Sequence, residues 1–416
     1  MVGSTREELM AIKALWAKGT RNPNGLRPFL DDFFSTPKGD PLVEWKNVTD
    51  AFISLVEELK PDLLILDQFA MWFVDAARIM NMEYVLSAPA SLQMLQEPSP
   101  LEDPLIWSNL SYPLSFWSKI LNLWYFFGLI WFSLFHPVPA SIREYRLKTL
   151  KMPSIGFTND RNAFVYDHPS WKYHRAILTY NLNLMQQKCN PKVVFVGACL
   201  RQPREADHTG DVDVRKWLDA SHQSETSVIY INLGTIFCYL QSEIDAITDS
   251  ILSLISLMPG GRKVSFLWRI PKGQIPHLDL KRLESIPPKR LMVVNWLDDP
   301  LVVFRHPAVQ VCVNHGGGNS VNEAMHHGLP QLVCGSWLDT VDFAVAVRTS
   351  GIGLSTQDPG KMDSNDITAK ITRLLTEETF RETAALYSAK SRAAGGTRAA
   401  VDVIESILES RLRTSG

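Results

Sequence analysis

The stretch from Val309 to Ala344, VQVCVNHGGGNSVNEAMHHGLPQLVCGSWLDTVDFA, concentrates the residues best suited to chemistry. It reads as a strand, a tight polar glycine turn, a helix, a glycine stop and a second strand. Three successive glycines, Gly316, Gly317 and Gly318, let the backbone approach a ligand closely, and Asn319 or Ser320 can cap the helix that follows. The exposed amides and the helix dipole, worth about half a positive charge, then point at the carboxyl end of the strand. An anion is favoured there, although such a turn also serves as a plain strand-to-helix connection. His315, beside the glycines, could donate to a phosphate or be structural. Glu323 lies one helical turn past Asn319 and Ser320, on the same face, where a carboxylate could meet ribose hydroxyls; alone it would be a solvated surface residue. Gly234 and Thr235 end a second strand-like run, Val228 to Leu233, with a small hydroxyl-bearing turn. Trp296, after Leu291 to Val294, offers a flat face for a base, or a core side chain.

The elements needed to hold these residues are legible as an α/β pattern. Short apolar runs at Leu63 to Leu66, Tyr84 to Ser87 and Val193 to Val196 read as strands, with a helix at Trp72 to Met80. The alternation restarts at Val228 with runs at Val264 to Trp268, Leu291 to Val294, Val309 to Val313 and Gln331 to Cys334, and helices around Ser242 to Leu257 and Asn319 to His326. These imply a first domain over 1–200, a polar connection over 201–226 with a short helical piece at Val214 to Leu218, a second domain over 227–390 and a terminal helix over 391–416. The helical tail is broken at Gly395-Gly396. Before Leu63 there is no strand signal, only a helix opened by Ser4 with Glu7 as capping box, a connection, and a helix from Pro41 to Leu59.

Composition sets bounds on function. Among 416 residues, 42 Lys+Arg against 44 Asp+Glu leave a formal net charge of -2, which disfavours a polycationic nucleic-acid binder. Five cysteines with no CxxC pair signal neither a disulfide framework nor a cysteine zinc site, and fit a reducing compartment, the cytoplasm. The first residues mix both charge signs without an apolar run, unlike a secretory signal, so Asn47 and Asn109 are expected to be idle sequons. From Ile120 through Ile142 no Asp, Glu, Lys or Arg occurs, and the run is rich in Trp and Phe. It is short for a transmembrane helix of about 20 apolar residues. A buried helix, the wall of an apolar pocket, and an interfacial helix making peripheral membrane contact through Ile120 to Phe135 all remain open.

The ordered set Trp296, His306-Pro307, His315 to Ser320, Glu323, Gly328 to Pro330 and Trp337 to Asp339 resembles the donor signature of family 1 UDP-sugar glycosyltransferases. VIYINLGT, FLWRI at Phe266 to Ile270, PDLLILDQFAMW at Pro61 to Trp72 and AAGGTRAAVDVIESIL near the end support the match, and the SWLD stretch leans toward fungal members. The resemblance implies a GT-B fold, two Rossmann-like domains facing across a cleft, with 1–200 binding acceptor and 227–390 binding donor. It implies that Trp296 stacks on uracil, Glu323 holds the ribose, and Gly234, Thr235, His315, Gly316, Gly317, Asn319 and Ser320 surround the diphosphate. Asp339 would bind sugar hydroxyls, and Asp67 would orient the base of an inverting hexose transfer to a small lipophilic acceptor. The UDP-sugar would be a co-substrate; no cofactor or metal is implied, since no HExxH or clustered acidic motif occurs.

One departure matters. The family's base is a histidine in the first strand-to-helix loop, and the first histidine here is His136. A missing first strand would leave an unpaired edge beside Leu63 to Leu66. The expectation is therefore a first domain incomplete at its amino terminus. The alternatives are a pseudoenzyme or partner subunit that only binds nucleotide sugar, and an epimerase or hydrolase on the same fold.

Overall fold

The computed structural model describes residues 41–95, 99–154, 173–201, 211–235, 237–287 and 289–414. The helix expected from Ser4 lies outside them. The described chain forms two compact units: one gathers the residues up to Cys199 with those from Ala394 on, and the other runs Leu200–Ala393.

The first unit has a parallel sheet in the order β1-β2-β3-β4, formed by Leu64–Asp67, Tyr84–Ser87, His174–Thr179 and Val193–Phe195. Among the described residues β1 pairs only with β2. Helix α1, Pro41–Leu59, packs on α2, Met71–Ile79, where Asp75 forms a buried knot. Its carboxylate accepts from Arg146 Nε at 2.9 Å and Trp45 Nε1 at 3.1 Å, so the buried charges are compensated. Long helix α3, Phe116–Phe135, and short helix α4, Pro137–Glu144, lie between β2 and β3.

Only one side of α3 is buried. Asn122 is fully enclosed, donating to the carbonyls of Pro100 and Asp103 at 2.9 and 2.7 Å and accepting from Leu105 N at 3.0 Å. Trp117, Trp124, Phe127, Trp131 and Phe135 stand on the surface, so α3 is not the buried helix that was one of the readings. No single helix among the described residues is long and apolar enough to cross a membrane, though Phe116–Phe132 and Pro137–Thr149, bent by 59°, would suffice together by length and composition.

The second unit is built on a six-stranded parallel sheet, β10-β9-β8-β5-β6-β7. Its strands are β5 Ser227–Asn232, β6 Val264–Arg269, β7 Leu291–Val294, β8 Val309–Asn314, β9 Gln331–Val333 and β10 Gly353–Ser355. Alternate residues feed cores on opposite faces: Ile229 and Ile231 join Trp268 and Val313 on one, Val228 and Tyr230 join Leu267 and Cys312 on the other. The helices are α5 Val212–Gln223, α6 Gln241–Leu257, α7 Leu280–Glu284, α8 Leu301–Arg305, α9 Gly318–His326, α10 Asp339–Ser350, α11 Ser364–Thr376 and α12 Glu378–Ala393. Within the stretch read as a connection, α5 sends Val214 and Leu218 into the second core. The last helix, α13 Gly396–Thr414, lays Ala399, Ala400, Val403, Ile404 and Ile407 on the first unit's sheet, a stripe at helical spacing.

Candidate donor site

From β5 the chain moves outward to β6 and β7, then returns to β8 beside β5 and moves the other way. Order therefore reverses between β5 and β8, the place where open α/β sheets bind ligands at the strands' carboxyl ends. The last residues of the two strands, Asn232 and Asn314, are register partners. Each folds its side chain onto the following turn: Asn232 Oδ1 accepts from Gly234 N at 3.0 Å, and Asn314 Oδ1 from Gly316 N at 2.8 Å. Each is anchored behind, Asn232 to Tyr230 Oη at 2.9 Å and Asn314 to Gln331 Oε1 at 2.9 Å. Two matching Asx turns thus peel the backbone away from the sheet on either side of the switch point.

The His315 imidazole fills the gap between these turns. A Cβ on Gly234 would lie 2.7 Å from its Cε1, and one on Gly317 would lie 2.5 Å from its Nε2. Both positions must be glycine for the ring to stay where it is. Nδ1 is buried and has no hydrogen-bond partner among the described residues. Burial pushes the imidazole down to about 4, so it is neutral near pH 7 and its single N–H is a donor for a ligand. Gly316 needs its φ of 87°, and a Cβ there would meet the Thr340 carbonyl oxygen at 2.4 Å.

Helix α9 begins earlier than the capping reading supposed. Gly317, extended at φ -66° and ψ 135°, is the N-cap, and no side chain caps the helix. Asn319 and Ser320 sit inside the first turn because the glycines allow the helix to start against the imidazole. The first helical backbone bond runs from Val321 N to Gly317 O, so the amides of Gly318, Asn319 and Ser320 precede it and are free to bind an anion.

The loop after β9 closes on the same turn. Thr340 Oγ1 accepts from the amides of Ser336 and Trp337 at 3.2 and 3.0 Å, winding the loop tightly, and Leu338 is held at φ 47°, a strained value for a branched residue. Trp337 stacks on Phe237 with centroids 5.4 Å apart. Asp339 starts α10; burial pushes its carboxyl up to about 6, against the lowering effect of the amides of Asp339 and Thr340.

Trp296 is 58% exposed. Arg269, at the end of β6, sets its guanidinium 5.3 Å from the indole centroid and donates Nη1 to the Gly234 carbonyl at 2.7 Å, tying the indole to the β5 turn. Glu323 faces Asp299 from α9, and burial followed by the Asp299 charge pushes its carboxyl up to about 7. Asp299 itself accepts from Leu301 N at 3.1 Å, while its own amide donates to Asp211. Thr235 is exposed beyond Gly234.

The second unit therefore holds every expected donor residue in the loops and helix starts that follow the strands' carboxyl ends. Asp67 lies in the first unit, at the carboxyl end of β1, where its Oδ1 accepts from Phe69 N at 2.8 Å. Next to it, Gln68 is fully buried with neither amide atom partnered among the described residues. Sequence reasoning missed Asn232, Asn314 and Arg269 as parts of the site. The signal for the asparagines was present, since both turns carry Asn two residues before Gly, in Asn232-Leu-Gly234 and Asn314-His-Gly316. Among the described residues no group of three or more His, Cys, Asp or Glu side chains could hold a metal ion.

Residues 274–404 match the family described as erythromycin biosynthesis protein CIII-like, C-terminal domain. Erythritol-mannosyl-transferase 1 of Pseudozyma antarctica (strain T-34) is 28% identical over 258 residues, covering 47% of this chain and 42% of that protein. UDP-glycosyltransferase 708G2 of Citrus unshiu is 32% identical over 224 residues, covering 50% of this chain and 44% of its own. The match thus spans less than half the length of either relative. The glycotransferase of kitacinnamycin superposes with a TM-score of 0.63 at 18% identity, covering 96% of this chain and 94% of that one. UDP-glucose: anthocyanidin 3-O-glucosyltransferase in complex with UDP gives 0.57 at 17%, covering 90% and 83%. These structures establish a GT-B glycosyltransferase fold. With the donor signature in place on that fold, the chain is similar to the family 1 UDP-glycosyltransferases.

Proposed function

We propose that the protein transfers a hexose from UDP to a hydroxyl of a small lipophilic acceptor, with inversion. The observation that carries this reading is the neutral His315 ring set between Gly234 and Gly317, with the open amides of α9 beside it. As the glycosidic bond breaks, charge accumulates on the departing diphosphate. Preorganised donors at that point, the amides of Gly318 to Ser320 and the His315 N–H, with Thr235 nearby, can each contribute ~3 kcal/mol. Trp296 stacks on uracil, Glu323 accepts from the ribose hydroxyls, and Asp339 accepts from hydroxyls of the sugar. Asp67 acts on the acceptor side. The relatives' names include a mannosyltransferase, and one structural neighbour is a UDP complex, which supports a hexose carried on UDP. Calorimetry with UDP tests donor binding, and chromatography of UDP released from UDP-hexoses, with and without phenolic or sterol acceptors, tests turnover. UDP release that needs an acceptor is expected; release without one would mean a hydrolase.

The exposed Trp and Phe side of α3 supports work at a membrane surface in the cytoplasm, and the five cysteines form no disulfide among the described residues, which suits that compartment. Co-flotation with phosphatidylcholine vesicles, lost in a Trp117→Ser, Trp124→Ser, Trp131→Ser variant, is the expected result. Flotation that the variant retains would remove α3 from the account.

A further inference from the structure

We propose that the second unit carries a separate binding site for a phosphate monoester, in a cavity at the opposite edge of its sheet from the glycine turn. The cavity, of about 400 Å³, opens where β8 begins and where Pro330 leads into β9. A six-residue strand of about 20 Å separates it from the donor loops. Its volume is at the small end of ligand pockets, enough for a sugar phosphate.

Charge decides the ligand class. Arg262, Arg305 and Arg381 line the cavity together with Glu377 and Glu378. Each carboxylate has its own guanidinium: Glu378 accepts from Arg381 at 2.5 Å, and Glu377 from Arg373 Nε at 2.6 Å. Arg262 gives Nη1 only to the neutral carbonyl of Leu375, at 2.7 Å. Arg305 is exposed and makes no ion pair or hydrogen bond among the described residues. Two positive charges therefore remain uncompensated, both on guanidinium groups whose forked donors match phosphate oxygens.

A histidine completes the set. His327 lines the same cavity, its ring stacked on Phe304 at 6.2 Å and 12°, and its Nε2 is buried without a partner among the described residues. Burial first, then His326 and the positive charges of Arg305 and Arg392 around it, push the ring down to about 4 and hold it neutral. The other histidine of the lining is already used, His306 bonding Asp219 at 3.1 Å and accepting from Ala308 N at 3.2 Å. A doubly charged phosphate would offset Arg262 and Arg305 against the cavity wall that the His327 ring helps to form.

The test is calorimetry at low ionic strength with inorganic phosphate and with glucose 6-phosphate, on wild type, Arg305→Ala, Arg305→Lys and His315→Ala. The expected result is binding to wild type and to His315→Ala, at least tenfold weaker in Arg305→Ala and partly restored in Arg305→Lys, with an unchanged melting temperature for the exposed position 305. Binding that is lost in His315→Ala and kept in Arg305→Ala would place the phosphate at the glycine turn and overturn the proposal. So would an absence of binding to wild type at millimolar ligand.

Discussion

Replacing Glu323 by Gln separates what the residue does to the fold from what it does for the ligand. Burial and the Asp299 charge push the Glu323 carboxyl from its ordinary 4.5 to about 7. A folded-state value above the unfolded one means that the folded chain binds the proton more tightly. The associated stability is present below pH 4.5 and is lost as pH rises through 7, so the charged form is a liability at neutral and alkaline pH. At ~1.36 kcal/mol per unit the full effect would be roughly 3 kcal/mol, and about 1 to 2 kcal/mol remains after allowance for partial solvent contact. Glutamine keeps the shape without the charge. The Gln variant should therefore melt about 2 to 8 °C higher than wild type at pH 8, at about 2 to 4 °C per kcal/mol for a unit of this size, and no higher at pH 5. UDP should raise the melting temperature of wild type and raise that of the variant much less, because charge-assisted bonds to the ribose are gone. Differential scanning calorimetry at both pH values, with and without UDP, reads all four cases. A variant that is less stable at pH 8, or one that keeps the full UDP response, would refute the reasoning.

Gly317→Ala has ordinary backbone angles but drives a methyl into the His315 ring, so UDP affinity should fall about tenfold; in a His315→Ala background the same change should cost little, a non-additivity that titration calorimetry of the double mutant cycle would reveal. Arg269→Met removes both the indole contact and the bond to the Gly234 carbonyl, and should weaken UDP and uridine binding alike by ~1 to 2 kcal/mol in competition titrations. Asp339→Asn should leave the dissociation constant for UDP unchanged and raise that for a UDP-hexose, measured side by side, as the proposed bond from Asp339 to the sugar hydroxyls requires.

Much of this site was readable because its signals are local. The glycine run before α9, Glu323 one turn on, and Trp296 after β7 are short-range patterns whose physical meaning survives folding. The helix Pro41–Leu59 and the strand Leu291–Val294 follow equally from local periodicity. What escaped depends on partners distant in sequence. Nothing near Gly234 reveals that it gives room to the ring of His315, because only the pairing of β5 with β8 brings them together. Arg269 reads as the polar end of a buried strand until β6 places it between Gly234 and Trp296. The N-cap was misplaced because Asn and Ser are the usual caps, whereas here close packing against an imidazole selects glycine. Strands β3 and β10 were not anticipated: His174–Thr179 mixes charge into its run, and Gly353–Ser355 is too short to show a period. The polarity of 201–226 let only the piece Val214 to Leu218 of α5 show, because those two are the buried apolar residues that carry the helix Val212–Gln223 into the core.

The account turns on whether the loops at the end of β5 and β8 grip a nucleoside diphosphate. The most direct measurement is a crystal structure of the protein with UDP. The account predicts uracil on the open face of Trp296, ribose hydroxyls within hydrogen-bond distance of Glu323, and the diphosphate on the amides of Gly318 to Ser320 beside His315. UDP bound away from Trp296 and Glu323, or a diphosphate that leaves those amides untouched, would contradict it.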